Sequence, residues 1–140
     1  EQPMKLLRIP YQKDEYRAFE RGQRIFAQGE SGKTMYVVHE GEVELLVNGQ
    51  LVEKVGPGGV LGEMGLIDAS PRSATAVART DCTLIPVNQQ RFKLLVQHTP
   101  DFALQLMRIM AERLRVMDRM LMERRRGERR SAQRRQADPS

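Results

Sequence analysis

Arg72 and Glu63 are the two side chains of this 140-residue sequence whose types and spacing suggest a chemistry. They stand nine residues apart in Gly58-Gly59-Val60-Leu61-Gly62-Glu63-Met64-Gly65-Leu66-Ile67-Asp68-Ala69-Ser70-Pro71-Arg72-Ser73-Ala74-Thr75. Arginine presents a planar fork of donors that matches phosphate oxygens. The glycines let backbone approach a ligand closely, and N–H groups at a helix start favour an anion. A carboxylate repels phosphate, so Glu63 must serve another group, and a hydroxyl is the obvious client. A phosphate reader beside a hydroxyl reader describes a site for a sugar phosphate. The plain alternatives are a surface arginine after a turn proline and a solvated carboxylate satisfied by a helix dipole.

The flanking sequence must position this stretch. Short β-type runs occupy Tyr16–Phe19, Arg24–Ala27, Thr34–Glu40, Glu42–Val47 and Gln50–Val55, with Thr75–Arg79 and Cys82–Val87 after it. Turn-forming residues divide them: Glu20-Arg21-Gly22-Gln23, the polar loop Gln28–Lys33, Gly41, Gly56-Pro57-Gly58-Gly59 and Asp81. Asn48-Gly49 is the strongest hairpin signal in the chain. Many short strands with glycine between them predict a β-sandwich or jelly roll.

The period then changes. Asn88 can cap a helix over Gln89–Gln97, broken by His98-Thr99-Pro100. A long helix follows from Thr99 or Asp101 to about Arg126, with Gly127 as its expected stop. Ala103, Met107, Met110, Leu114, Met117 and Leu121 recur at alternating spacings of four and three, a heptad seam suited to a second chain. A helix packed only on its own domain is the competing reading. Four methionines on its apolar positions make a deformable surface.

Composition narrows the classes. The net charge of +5 matches the balance of residues 123–135, where seven arginines face Glu123 and Glu128, so the remainder is neutral. This basic tail is expected to be disordered over 123–140 and is a candidate contact for nucleic acid, anionic lipid or an acidic partner. It has no aromatic residue for base stacking. A single cysteine, Cys82, excludes an intrachain disulfide framework. His39, His98 and Cys82 show no ligand spacing, so no metal is expected. No nucleophile motif occurs, and an enzyme is not expected. The absence of a membrane-length apolar run or a signal-peptide pattern points to the cytoplasm.

The run GEMGLIDASPRSATA resembles the phosphate-binding cassette of cyclic nucleotide-binding domains, as found in catabolite-activator-type regulators, cyclic-nucleotide-gated channels and kinase regulatory subunits. The resemblance extends from about Phe19 to Met122 and includes GQRIFAQGESGKTMYVVHEGEVELLV. It implies that Arg72 pairs with the exocyclic oxygens of a cyclic phosphate and Glu63 accepts the ribose 2′-hydroxyl. Leu61, Gly62, Met64 and Ala74 complete the expected binding residues, with backbone donors from the last three, and Ser73 offers its hydroxyl and N–H. Ser73 tilts the base choice toward cAMP, because cGMP-selective kinase cassettes often place threonine there. Where catabolite-activator-type members place a Thr-Ser pair against adenine, this sequence has Met117-Asp118. Met117 could cap the ring, and Asp118 could accept from guanine N1–H and N2–H₂ or be an exposed helix aspartate, so cGMP stays open.

The expectation is therefore a mainly β chain with flanking α structure: a double-stranded β-helix (jelly roll), a phosphate-binding cassette and a long C-terminal helix. Residues 1–15 form a lead-in and 16–122 the binding domain, with the roll over 16–87 and C-terminal helices over 88–122. The expected function is a non-catalytic cAMP receptor or regulatory domain that signals by movement of the C-terminal helix. Alternatives are a cGMP-preferring domain, a structural or dimerisation module that has lost its ligand, and a jelly-roll enzyme. Homodimerisation through residues 101–122 is expected. Sequence-specific DNA binding by this chain is not, since fourteen residues after Arg126 are too few for a helix-turn-helix domain.

Overall fold

Alternating buried and exposed positions in short β-branched runs fold as strands wherever glycine punctuates the chain. The computed structural model describes residues 15–137, with side chains through Arg135. Of the expected lead-in over residues 1–15, all but Glu15 lies outside the described residues. The strands are β1 (Arg17–Phe19), β2 (Arg24–Phe26), β3 (Met35–Glu40), β4 (Val43–Val47), β5 (Gln50–Val55), β6 (Val60–Leu61), β7 (Thr75–Ala78) and β8 (Cys82–Val87). The helices are α1 (Glu63–Asp68), α2 (Gln89–His98) and α3 (Pro100–Ala137).

Two four-stranded antiparallel sheets form, in the orders β1-β8-β3-β6 and β2-β7-β4-β5. Val38, Leu61 and Leu84 from the first meet Phe26, Leu45 and Ala76 from the second in one buried core, as two packed layers require. This is the mainly β jelly-roll architecture with a long C-terminal helix. At the β4–β5 hairpin Asn48 and Gly49 both have positive φ, 51° and 80°, the primed two-residue turn that matches strand twist.

One strand departs from expectation. Val60–Leu61 belongs in sequence to the glycine-rich stretch, but it pairs as a strand with Val37 and Tyr36. Gly58 and Gly59 prolong the pairing through Gly58 N–H to Val38 O (2.8 Å) and Val38 N–H to Gly59 O (2.9 Å). The glycines therefore border a strand that delivers the chain into α1.

Asn88 caps α2 as expected, its side chain accepting from Arg91 N–H at 2.8 Å. Pro100 occupies the first turn of α3, where its missing N–H costs nothing. Phe102 and Leu106 are buried, and Phe102 meets the edge of Phe92 at 5.6 Å between centroids.

The chain divides into two compact units, residues 1–106 and 107–140. Within the second, α3 runs on as a single helix in which Glu112 pairs with Arg115 at 3.0 Å. The expected stop at Gly127 is corrected here: the helix continues to Ala137, so the basic segment expected to be disordered is helical over its described residues. Gly127 does not have positive φ. A mid-helix glycine costs only about 1 kcal/mol against alanine, which Arg, Glu, Gln and Ala neighbours offset. On the heptad seam Met107, Leu114, Met117 and Leu121 are all exposed.

Candidate functional site

The cassette starts where β6 ends. Leu61 is fully buried, and Gly62 turns the chain with φ 78° as the N-cap residue of α1. Gly62 has no side chain with which to cap this helix, and Glu63 stands in its first turn. Ala69, also at positive φ, ends the helix. Asp68 then accepts from the hydroxyl (2.6 Å) and N–H (3.1 Å) of Ser70. These bonds hold the Asp68 carboxyl below its ordinary pKa and shape the turn that returns the chain to Arg72.

Arg72 is buried, with 7% of its surface exposed, and it is the one buried polar or charged residue among those described. Its Nη1 donates to the Gly62 carbonyl at 3.1 Å, and its guanidinium lies over the Phe26 ring at 4.3 Å. Its Nε is buried with no hydrogen-bond partner among the described residues. Its main chain is held as well: Arg72 N–H donates to Glu30 O and Arg72 O accepts from Gly29 N–H, both at 2.8 Å. Burial pulls the guanidinium below the usual arginine pKa, opposed by Tyr36 and by the carboxylates of Glu30 and Glu63. It stays cationic at neutral pH, because an arginine starts far above that range.

Three glycines make room for this group. A Cβ on Gly32 would lie 2.4 Å from Arg72 Nη2, and one on Gly62 would lie 2.5 Å from Nη1. A Cβ on Gly65 would lie 2.0 Å from the Gly32 carbonyl oxygen. The loop 28–33, α1 and Arg72 thus meet at backbone contact.

Gly62 and Arg72 are in direct contact, and Glu63 is close enough for its charge to act on Arg72. Leu61 lies inside the core, Met64 and Ser73 are exposed, and Ala74 is buried at the approach to β7. Met117 and Asp118 lie on the exposed surface of the second unit. Phe26, Gly32 and Gly65 are further parts of the arginine cradle that the sequence alone does not mark. Phe26 reads as an ordinary strand residue, and the meeting of Gly32 with Gly65 joins positions 33 residues apart, which no local pattern announces.

A buried cation without an ion-pair partner among the described residues, an orphaned Nε and a glycine-lined backbone approach fit a phosphate better than a structural salt bridge. Comparisons with known proteins bear on the family of the chain. Residues 16–99 match the family model of the cyclic nucleotide-binding domain. The cyclic AMP receptor protein of Thermus thermophilus is 36% identical over 107 residues, covering 73% of this chain and 50% of that protein. The crystal structure of Thermus thermophilus catabolite activator protein superposes with a TM-score of 0.68 at 36% identity, over 76% of this chain and 52% of that one. A structure from work on a cyclic-GMP-dependent signalling pathway in bacterial phytopathogenesis gives a TM-score of 0.63 at 33% identity, over 71% and 82%. The chain spans half or less of the length of the first curated relatives it matches. With more than half of its length inside the family model and this cradle at its centre, the chain belongs to the cyclic nucleotide-binding domain family.

Proposed function

We propose that this chain is a non-catalytic receptor or regulatory domain for a cyclic nucleotide, with cAMP as the first choice. The observation that carries the reading is the Arg72 guanidinium, buried without a carboxylate partner among the described residues and held over Phe26 in a glycine cradle. Charge-assisted hydrogen bonds to exocyclic phosphate oxygens would satisfy its free donors. In this reading Glu63 accepts the ribose hydroxyl, Gly62, Met64 and Ala74 offer backbone donors, and Ser73 adds its hydroxyl. The 36% identity to a cyclic AMP receptor protein supports cAMP. The likeness to a structure from cyclic-GMP signalling work, together with Asp118 in place of a hydroxyl residue, is the specific reason to carry cGMP as the second reading. Among the described residues no helix is long and apolar enough to cross a membrane, and a cytoplasmic location is part of the proposal.

Titration calorimetry with cAMP and with cGMP tests this directly. One site per chain is expected for at least one of them, with Kd of about 10 µM or tighter, roughly 7 kcal/mol. The absence of heat from both at saturating concentration would reduce the chain to a structural module of this fold.

The signalling step proposed is a change in the C-terminal helix, which a ligand can drive only by its difference in affinity for two states. Homodimerisation through residues 101–122 is part of the same proposal, because Met107, Leu114, Met117 and Leu121 form an exposed heptad seam. Light scattering should give twice the chain mass of 16.1 kDa. Leu114→Asp, at a position 62% exposed in the single chain, should return the monomer without unfolding the roll. A wild-type monomer at high concentration, with and without nucleotide, would remove the dimer.

A further inference from the structure

The basic segment is a helix, and that changes what it can bind. Arg124, Arg125, Arg126, Arg129, Arg130, Arg134 and Arg135 face only Glu123 and Glu128, and every residue from 123 to 135 is exposed. At about 100° per residue the guanidinium groups leave the helix on all sides. Arg124 and Arg135 share one side, Arg125 and Arg129 a second, and Arg126, Arg130 and Arg134 the far side. The pairs Arg125–Arg129, Arg126–Arg130 and Arg130–Arg134 stand four apart, where like charges repel on a helix. An anion that reached several sides at once would relieve that repulsion.

The shape of the charge selects the anion. A bilayer offers charge in one plane, so about half of these arginines would point away from it. After Met122 the apolar residues of the described helix are Ala132 and Ala137, too small to insert among acyl chains. Single strands are held largely by stacking on aromatic rings, and this segment has none. The major groove of B-DNA, about 12 Å wide, admits an α-helix and carries phosphates along both walls. Thirteen helical residues extend for roughly 20 Å, beside which a duplex presents about twelve phosphate charges.

We propose that the helical segment 123–135 is a docking surface for duplex DNA, bound through phosphates on more than one side of the helix without reading sequence. The inference rests on this segment alone and is independent of the cyclic nucleotide reading. It needs no helix-turn-helix.

Fluorescence anisotropy of the full chain with a labelled mixed-sequence duplex of about 20 bp, from about 50 to 200 mM KCl, is the test. Binding is expected at the low-salt end, with log Kobs falling against log salt at a slope of about −5. A duplex of unrelated sequence should bind equally. The quadruple variant Arg125→Gln, Arg126→Gln, Arg129→Gln, Arg130→Gln changes only exposed positions, so nucleotide titration and melting should match the parent chain. Its salt slope should shrink by about 3.5, with affinity at the lowest salt down by at least about 100-fold. The proposal is overturned by any of four results: no duplex binding at about 50 mM KCl, a slope the variant leaves unchanged, tighter binding to the single strand, or tighter binding to phosphatidylserine vesicles.

Discussion

Arg72→Ala is expected to weaken cyclic nucleotide binding about 100-fold, near 3 kcal/mol, while shifting the stability of the unliganded domain by about 1 kcal/mol or less. The two effects would separate because, in the proposed reading, the guanidinium gains phosphate partners only when ligand is bound. Without ligand it keeps one hydrogen bond to the Gly62 carbonyl and its face contact with Phe26, set against the desolvation that lowers its pKa. Removing it loses both contacts and relieves the burial of a charge, so the terms oppose one another. With a cyclic phosphate present, the same deletion leaves a buried anion unpaired, and nothing offsets that loss. Arg72→Lys should fall between, since it keeps the charge and loses the fork. Calorimetry and melting of the three proteins, each with and without ligand, distinguish the outcomes. A large drop in unliganded melting temperature with unchanged affinity would make Arg72 a structural arginine.

Gly65→Ala is expected to cost about 3 kcal/mol, a fall of roughly 10 °C in melting temperature, and to weaken nucleotide binding as well. The added carbon would sit 2.0 Å from the Gly32 carbonyl oxygen and 3.3 Å from Arg72 Nη1. The first of these is backbone, which cannot rotate away. The loop that carries it is tied down by Gly29 N–H to Arg72 O, Arg72 N–H to Glu30 O and Ala27 N–H to the Glu30 carboxylate. Relief therefore means moving α1 or breaking the bonds that orient Arg72. Gly56→Ala is the control, because its Cβ would meet nothing within 4 Å and its φ is not positive. Equal melting temperatures for the two variants would refute the close approach.

Legibility in the sequence followed the range of the forces involved. The Asn48-Gly49 turn, the Asn88 cap and the runs that became β3, β5 and β8 depend on neighbours within a few residues, and they appear where local chemistry places them. β6 was hidden because its two residues gain strand geometry from β3 rather than from a pattern of their own. Gly127 misled for the opposite reason. A glycine ends a helix by offering a left-handed residue, but nothing requires the chain to accept when helix-forming residues continue on both sides. In the cassette, Arg72 and Glu63 stood out by type and spacing. Phe26, Gly32 and Gly65 did not, since their part in the cradle exists only once β2, the loop 28–33 and α1 have come together.

The two main-chain hydrogen bonds of Arg72 with Gly29 and Glu30 carry a thermodynamic consequence. They fix the backbone from which the guanidinium projects as soon as the roll folds, so the entropy of ordering that residue is charged to folding and not to ligand capture. A small ligand with few groups to spare would meet a receptor atom already in position. Its affinity would then be governed by the contacts it makes, with little subtracted for arranging the loop that makes them.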